Sequence, residues 1–416
     1  MNTRENSPEP SGRLTHAAVA FLGLSRGMIG LLAMVILVGM GERMAERFLP
    51  IYLMALGGGA LSVGLLNGLD ILLSALYSFP GGYLSDRLGT KRALLVFNLL
   101  AMAGFLIVIL VPSWIAVIVG SFFFLSWTAI SLPATMDMVS RLLPQNKRTM
   151  GVSMHSLVRR IPMALGPLLG GVFINTWGET TGVRLAFVGA LGLAVVAIFM
   201  QQRLIPDHVS PRDAGPRAER NPLRLFREMS PALRRLLVSD ILVRFCEQMP
   251  YAFVVIWAMK RVASPVSAFQ FGLLTSIEMA TAILVYIPVA WLADRTTKKP
   301  FVVLTFIFFT LFPLALIFCQ SFWPLVGAFV LRGLKEFGEP TRKALIMDLA
   351  PEGRKAAMFG LYYLMRDVVV SLAAFGGAFL WLIDPRVNFL TAFAFGAAGT
   401  VWFAMFGQDH KSANAS

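Results

Sequence analysis

The sequence predicts an all-α membrane protein with twelve transmembrane helices arranged as two pseudo-symmetric six-helix bundles. Of its 416 residues, 56% are hydrophobic and only 14% are charged, whereas about 25% are charged in a typical soluble domain. Apolar stretches recur along the whole chain, and each approaches the roughly 20 residues that an α-helix needs to cross the hydrocarbon core of a bilayer. An internal repeat relates the first six stretches to the last six.

The twelve apolar stretches define predicted helices 1 to 12. They lack the alternation of apolar and polar residues that a membrane-spanning strand shows, and they are about twice as long as such a strand. The predicted helices cover residues 28–55, 61–84, 92–111, 114–138, 150–175 and 182–201, and then 236–259, 268–292, 300–319, 322–347, 355–380 and 386–407.

Polar segments divide the chain into domains. The longest, 202–235, contains eight arginines and five prolines. It is expected to be a cytoplasmic linker between a first bundle at 28–201 and a second at 236–407. The tails at 1–27 and 408–416 are also predicted to be cytoplasmic, and the first has no apolar core that would make it a signal peptide.

The end of the linker carries two local signals. Residues 220–237 mix leucines with arginines, which fits either a helix lying on anionic lipid or a solvated linker. Ser230 followed by Pro231 predicts the cap and the first turn of helix 7.

The distribution of basic residues predicts the orientation of the chain. The net charge is +14, and the basic residues concentrate in the segments after helices 2, 4, 8 and 10. The other side carries only Arg184, Lys260, Arg261 and Arg386. The positive-inside rule places the basic segments and both termini in the cytoplasm. We therefore expect an integral protein of the bacterial cytoplasmic (inner) membrane, with no nucleic-acid partner.

An internal repeat identifies polar residues that occur twice at matching depths. Three segments of the two halves align at nearly one register, with shifts that loops can absorb. The aligned pairs are Gly64 with Gly272, Asp70 with Glu278, Asp86 with Asp294 and Arg87 with Arg295 at an offset of 208, Arg159 with Arg366 at 207, and Arg43 and Glu46 with Arg244 and Glu247 at 201.

A glycine-containing basic turn follows helix 2. The chain reads Gly-Tyr-Leu-Ser-Asp-Arg-Leu-Gly-Thr-Lys-Arg from Gly82 to Arg92. Gly89 permits a positive φ, and Asp86 can cap a helix or pair with an arginine. This segment resembles the G-x-L-x-D-R-x-G-x-K-R signature of the major facilitator superfamily, and the twelve helices and the duplication extend the resemblance over the whole chain. The second copy keeps its acid and its basic cluster but lacks both glycines.

The resemblance implies the fold of that family and a conformational role for this loop. In the family the loop holds the cytoplasmic ends of the two halves together in the outward-open state and does not touch substrate. The residues that inherit this expectation are Gly82, Asp86, Arg87, Gly89, Lys91, Arg92, Asp294 and Arg295.

Helix 5 contains a run of small residues with Gly166, Pro167, Gly170 and Gly171. Small residues let helices approach closely and a proline weakens the backbone ladder, so a tight, bent packing seam is one interpretation. The run is also similar to the G-x-x-x-G-P-x-x-G-G pattern of proton-coupled exporters in the superfamily, with Pro162 in place of the first glycine. It favours export. Helix 4, however, lacks the arginine that drug and proton antiporters of the family place there.

Ionisable residues inside the predicted helices mark a candidate site. Each costs roughly 2.5 to 3.5 kcal/mol at mid-bilayer on insertion scales, so these side chains should face partners or a wet cavity. The charges of helix 1 lie within an arc of roughly 140°, and those of helix 7 within about 100°. The candidate substrate-binding and coupling residues are Glu42, Arg43, Glu46, Arg47, Asp70, Arg159, Asp240, Arg244, Glu247, Glu278, Arg332, Glu336, Glu339 and Arg366.

The candidates are assigned different roles. Asp70 and Glu278 have no basic residue within four positions, and a carboxyl group in apolar surroundings can load and release a proton, so both are predicted to couple transport to protons. Arg159, Arg244 and Arg366 would hold an anionic or zwitterionic group. The Arg-x-x-Glu pairs of helices 1 and 7 could instead be intrahelical ion pairs. The charges of helix 10 have no counterpart on helix 4, which predicts that substrate lies nearer the second half.

These observations predict secondary active transport by alternating access, as a monomer that needs no cofactor or metal. The preferred function is proton-coupled efflux of a small charged or amphipathic molecule. The alternative is a proton-coupled uptake symporter for an organic anion, metabolite or siderophore. An intramembrane lipid-acting enzyme is a remote alternative, because no nucleophile or metal-binding constellation is evident. Cys246 and Cys319 fall inside predicted helices and are interpreted as packing residues.

Overall fold

The structure is a computed structural model, and every regular element in the part of the chain that it describes is a helix. We number the helices α1 to α12 to match the predicted ones. The described residues are 26–125, 127, 131, 135, 138, 158–205, 226–293, 297–351 and 355–408.

The helix bounds agree with the predicted spans to within a few residues at most ends. They are α1 (Arg26–Glu46, resumed at Leu49–Ala55), α2 (Gly59–Leu88), α3 (Thr90–Leu110), α4 (Trp114–Phe124), α5 (Arg160–Trp177), α6 (Glu179–Leu204), α7 (Pro231–Tyr251, resumed at Val254–Ile256 and ending in the π-helical turn Trp257–Arg261), α8 (Ala268–Ala293), α9 (Lys299–Phe318), α10 (Phe322–Leu334, resumed at Glu339–Leu349), α11 (Lys355–Ile383) and α12 (Pro385–Phe406).

Most of these helices can cross a membrane. Among the described residues, eight are long and apolar enough, and α7 adds a ninth whose two parts are bent by 42°. The other three, α4, α5 and α10, are respectively short in the described residues, rich in glycine and proline, and interrupted.

Prolines explain why α1 and α10 are broken where the sequence predicted continuous helices. A proline has no N–H to donate to the carbonyl four residues earlier, and its ring clashes with that carbonyl. The first part of α1 ends at Glu46, four residues before Pro50. In α10, Pro340 stands second in the resumed helix, so its ring faces the break between Leu334 and Glu339.

Two predicted local features are confirmed. Gly89 joins α2 to α3 with φ of 83°, the left-handed conformation expected of this turn. The Ser230 hydroxyl oxygen accepts a hydrogen bond from the Leu233 N–H at 3.2 Å, and Pro231 is the first residue of α7. Helix 7 therefore begins at Pro231 rather than at residue 236.

Side-chain contacts identify one end of the molecule, which we call the basic end. There α1 starts and α6 ends, because a Cβ on Gly30 would lie 2.5 Å from the Cβ of Leu204. The Lys91 Nζ donates to the Gln202 carbonyl at 3.0 Å, which brings the α2–α3 turn to the same end. In the second half, the Ser230 hydroxyl donates to the Leu349 carbonyl at 3.1 Å. We call the other end, where α2 and α8 start, the opposite end.

The two halves meet through α2 against α11 and α5 against α8. The repeat-related glycines occupy equivalent contacts, since a Cβ on Gly64 would lie 2.5 Å from the Ala378 Cβ and one on Gly272 would lie 2.9 Å from the Leu168 Cα. Both glycines lie in the second turn of their helices, so these contacts are near the opposite end. The contacts between the two halves are therefore related by the internal repeat. The exact division of the chain at 202–235 stays a prediction, since 206–225 lie outside the described residues.

Candidate functional site

A cavity of about 410 Å³ lies between the two halves, lined by residues of both. A small recess of about 40 Å³ adjoins it and shares Glu46, Arg47, Asp70 and Tyr251 with it. The charged residues that line the cavity are the acids Glu42, Glu46, Asp70, Glu247, Glu278 and Glu336 and the bases Arg43, Arg47, Arg244 and Lys335. The sequence predicted nine of these ten as site residues, and Lys335 is the addition.

Close packing of α5 against α1 brings the charges of helix 1 to this cavity. A Cβ on Gly166 would lie 2.5 Å from the Arg43 Cβ, and one on Gly170 would overlap the Met44 carbonyl oxygen. Gly171 faces the other half, where its Cβ would lie 2.6 Å from the Ala268 carbonyl oxygen. Pro167 lies inside α5, which continues through it. The helix-5 run therefore forms a packing seam with both α1 and α8.

The repeat-related pairs of α1 and α7 form the intrahelical ion pairs that their spacing permits. The Arg43 Nη1 lies 2.7 Å from the Glu46 Oε2, and the Arg244 Nη1 lies 2.5 Å from the Glu247 Oε2. Each pair spans one helical turn and borders the cavity.

Glu278 forms ion pairs in the structure, although no basic residue lies within four positions of it in the sequence. Its Oε1 lies 3.2 Å from the Arg332 Nε and 3.4 Å from the Lys335 Nζ, and both bases come from α10. Lys335 also donates to the Glu247 Oε1 at 2.8 Å. The sequence could not show these pairs, because they depend on how α8, α7 and α10 are rotated against each other.

Asp70 differs from its repeat partner. It lines both the cavity and the recess and forms no ion pair or hydrogen bond with any residue that the structure describes. Arg47 is similar, because its guanidinium lies 4.9 Å over the ring of Tyr251 but contacts no described carboxylate within 4 Å.

A second cluster of charges is buried behind the cavity in the second half. Asp240 contacts Arg342, accepts a hydrogen bond from the Tyr362 hydroxyl at 3.0 Å and lies 3.4 Å from the Arg366 Nη1. Glu339 is shared by Arg342 and Arg244, each at 2.6 Å. The acidic and basic side chains of this cluster therefore neutralise each other.

Arg342 is the main residue that sequence reasoning missed. Its side chain is 1% exposed and joins two acids of different helices. The available signal was its position three residues after Glu339, which places both on one face of α10.

Arg159 and Arg366 do not line the cavity, although the sequence predicted that both would hold an anionic or zwitterionic group of the substrate. Arg366 belongs to the buried cluster and also pairs with Asp367 at 2.7 Å. Arg159 lies at the start of α5, is not among the lining residues and has no carboxylate within 4 Å in the described part of the chain. At the equivalent repeat position of Asp240 the first half has Gly39, so the two halves differ in charge.

A salt bridge joins the two halves beside the cavity. The Arg160 Nη2 lies 3.2 Å from the Glu336 Oε2, and both side chains are partly exposed. Arg160 was not among the predicted site residues. At the opposite end, Lys260 contacts Glu179 across the halves.

The predicted conformational loop lies at the basic end, away from the cavity. Lys91 contacts the end of α6 in its own half, while Arg87 and Arg92 are exposed. Gly82 and Asp86 belong to α2, and their side-chain environments lie outside the description. Asp294 and Arg295 lie outside the described residues.

The family relationship accounts for this architecture. The model of the Major Facilitator Superfamily matches residues 31–264 and again 236–416, so the chain belongs to this superfamily of membrane transporters, which are not enzymes. Over 362 residues it is 22% identical to the uncharacterized MFS-type transporter MJ1317 of Methanocaldococcus jannaschii, covering 84% of this chain and 87% of that protein. Over 175 residues it is 27% identical to the uncharacterized MFS-type transporter YfkF of Bacillus subtilis, covering 41% and 44%.

Solved transporter structures share the fold. The nucleoside transporter NupG superposes with a TM-score of 0.77 at 13% identity, covering 91% of this chain and 99% of NupG. The peptide transporter POT in complex with sulfate gives 0.74 at 17% identity, covering 92% and 93%. The human organic anion transporter MFSD10 gives 0.62 at 15% identity, covering 91% and 98%. At these identities the likeness establishes the fold and leaves the substrate open.

Proposed function

We propose that this chain is a proton-coupled secondary transporter that exports a small charged or amphipathic molecule from the cytoplasm, acting as a monomer in the cytoplasmic membrane. The observation that carries the proposal is the cavity of about 410 Å³ between the halves, with ten charged lining residues. Charges at this depth are costly in a membrane protein and usually mark a transport pathway. A site between two repeats is also where alternating access requires it.

The orientation follows from the distribution of basic residues. With the basic end in the cytoplasm, as the positive-inside rule indicates, both termini are cytoplasmic. The close contacts at Gly64, Gly171 and Gly272 then lie between the cavity and the external side. Two hydrogen bonds reinforce them: the Ser276 hydroxyl donates to the Ala164 carbonyl at 2.6 Å, and the Asn67 amide donates to the Gln248 carbonyl at 2.8 Å. These contacts close the external side of the cavity.

Alternating access then requires two sets of contacts to exchange. Opening to the outside separates α5 from α8 and α2 from α11, while the basic ends of the halves approach each other. The Arg160–Glu336 pair is a contact of the cytoplasmic side. The loop after α2 would supply further contacts there, as the family signature implies.

Coupling to protons is assigned to Asp70 and Glu278. Asp70 is an acid in the cavity without a described counter-ion. Glu278 pairs with Arg332 and Lys335, and Lys335 also pairs with Glu247, so protonation of Glu278 would release Arg332 beside the recess. A change of protonation at either acid therefore alters the charge that a substrate meets. The exporter-like run in helix 5 favours outward movement of the substrate over the uptake alternative.

The test uses purified protein in proteoliposomes that contain a pH-sensitive dye. Compounds from a metabolite and drug panel are added, and both compound flux and luminal pH are measured under an imposed pH gradient. We expect at least one compound to move with an opposed proton flux. Asp70→Asn and Glu278→Gln should each abolish gradient-driven flux, whereas Ser74→Ala, an uncharged lining position, should retain it.

Two outcomes would contradict the proposal. Compound flux that ignores the pH gradient in the wild-type protein would exclude proton coupling, and normal coupling in both acid variants would remove Asp70 and Glu278 from it. Proton and compound fluxes in the same direction would establish the uptake symporter instead.

A further inference from the structure

The charges of the second half that face the cavity are already neutralised. Glu247, Glu278 and Glu336 each have a basic partner, at 2.5, 3.2 and 3.2 Å respectively. The basic residues of α10 already take part in these contacts. Arg332 pairs with Glu278, and Lys335 lies between Glu247 and Glu278. A substrate that bound to this half would therefore have to displace an existing partner.

Among the described residues of the first half that line the cavity, two opposite charges are left for a ligand. Arg43 is paired with Glu46 at 2.7 Å, and Glu42 is engaged as well. Arg47 and Asp70 remain without an ion-pair partner among the described residues. Both line the main cavity and the recess beside it.

The recess supplies the rest of a binding site. Its walls include the apolar side chains of Leu66, Leu125 and Phe271. The ring of Tyr251 lies under the Arg47 guanidinium at 4.9 Å and under that of Arg332 at 5.2 Å. Stacking fixes the plane of a guanidinium and leaves its N–H groups available at the edge.

We propose that the transported molecule is a zwitterion with an apolar substituent, bound mainly by the first half. Its carboxylate would bind Arg47, its ammonium group would bind Asp70, and its apolar part would occupy the recess. An uncompensated charge in a site that excludes water is costly, and a ligand with both charges compensates both residues at once. A simple anion or cation would leave one of the two unmatched. This inference rests on the proposed transport function and reverses the expectation that substrate lies nearer the second half.

The test compares molecules that share an apolar group and differ only in charge. Thermal stability of the purified protein in detergent is measured with L-leucine as the zwitterion, L-leucinamide as the cation and N-acetyl-L-leucine as the anion. Phenylalanine and the dipeptide leucyl-leucine extend the zwitterion set to larger apolar groups. We expect at least one zwitterion to raise the melting temperature, with an apparent affinity at least about tenfold tighter than that of its cationic and anionic analogues.

Variants assign each charge to its residue. Asp70→Asn should remove the preference for the zwitterion over its anionic analogue, and Arg47→Gln should remove the preference over the cationic one. Arg386→Gln, at an exposed position outside the cavity and the conformational loop, serves as the control and should keep both preferences. If no zwitterion stabilises the wild-type protein, or if its charged analogues bind equally well, the proposal is wrong whatever the variants do.

This experiment separates the inference from the proposed function. Binding in detergent needs no gradient, so a zwitterion that binds but is never moved by a pH gradient would contradict transport and keep the binding site. Gradient-driven flux of a compound without both charges, unaffected by Arg47→Gln, would keep the transport function and overturn the zwitterion site.

Discussion

Replacing Gly171 by alanine should shift the protein toward the conformation that is open at the opposite end. The new Cβ would lie 2.6 Å from the Ala268 carbonyl oxygen and 2.8 Å from the Phe269 Cα. Ordinary contact begins at 3.4 Å, so the two backbones must separate by about 0.8 Å. Overpacking of this kind costs about 1 to 3 kcal/mol. Because the clash exists only where α5 meets α8, that cost falls on the conformation closed at this end and should increase the open population by about 5- to 150-fold.

Double electron–electron resonance (DEER), which measures distances between two spin labels, can determine this population. Thr180 and Ser264 are exposed, belong to different halves and lie at the opposite end, so spin labels on cysteines introduced there report its opening. The two native cysteines, Cys246 and Cys319, are both buried and are replaced by alanine for the experiment. Gly171→Ala should enlarge the long-distance fraction in the absence of any ligand.

Two glycine variants serve as matched controls. Gly192→Ala meets no atom within 4 Å and should leave the distance distribution unchanged. Gly166→Ala clashes with the Arg43 Cβ inside the first half, at 2.5 Å, so it should lower the melting temperature without favouring either conformation. A distribution for Gly171→Ala that matches the wild type would refute the argument that this contact holds the halves closed.

Three further predictions concern single charges. Arg342→Ala removes one basic partner from each of two buried carboxylates, Asp240 and Glu339, and should cost up to about 3 to 5 kcal/mol of unfolding free energy, measured by chemical denaturation in detergent. The exposed Arg92→Ala should stay within about 0.5 kcal/mol, and equal stability of the two variants would contradict the buried network. Arg160→Glu should change the initial transport rate by no more than about fivefold, since a partly exposed pair contributes about 0 to 1 kcal/mol, and the exchange with Glu336→Arg should restore it; a swap that fails to restore the rate would show that the pair is incidental. Asp86→Asn should lower the maximal transport rate and leave the half-saturation constant unchanged, and a change confined to the half-saturation constant would place this residue in the substrate site instead.

Local features were predictable because they depend on a few neighbouring residues. A glycine between two basic segments at Gly89 predicts a left-handed turn, and Ser230 before Pro231 predicts a helix start, whatever the rest of the chain does. Apolar length similarly predicts the helices, since the bilayer fixes that length. The breaks at Pro50 and Pro340 could have been predicted from the same kind of local signal, because each proline lies inside a predicted helix.

Contacts between helices were less predictable because they depend on rotation and depth, which apolar length does not fix. The internal repeat predicted a position near mid-membrane for Glu278, and Glu278 lines the cavity. No sequence pattern showed that Arg332 would lie 3.2 Å away from it. The same applies to Arg342, whose acidic partner Asp240 comes from a helix 102 positions earlier in the chain. Periodicity identified which residues could face inward, and only the packed structure shows which of them neutralise each other.

The unequal distribution of paired charges has a consequence for how such a transporter can change. Replacing Asp240 or Arg342 removes a partner from several buried charges at once, so the second half tolerates few substitutions along its charged face. Replacing Arg47 or Asp70 strands none of the described residues, and the stability lost should be small. A descendant of this chain could therefore acquire a new substrate specificity through substitutions in the first half, while the charged residues of the second half stay unchanged. Duplication would then have produced one half that adapts and one that stays constant.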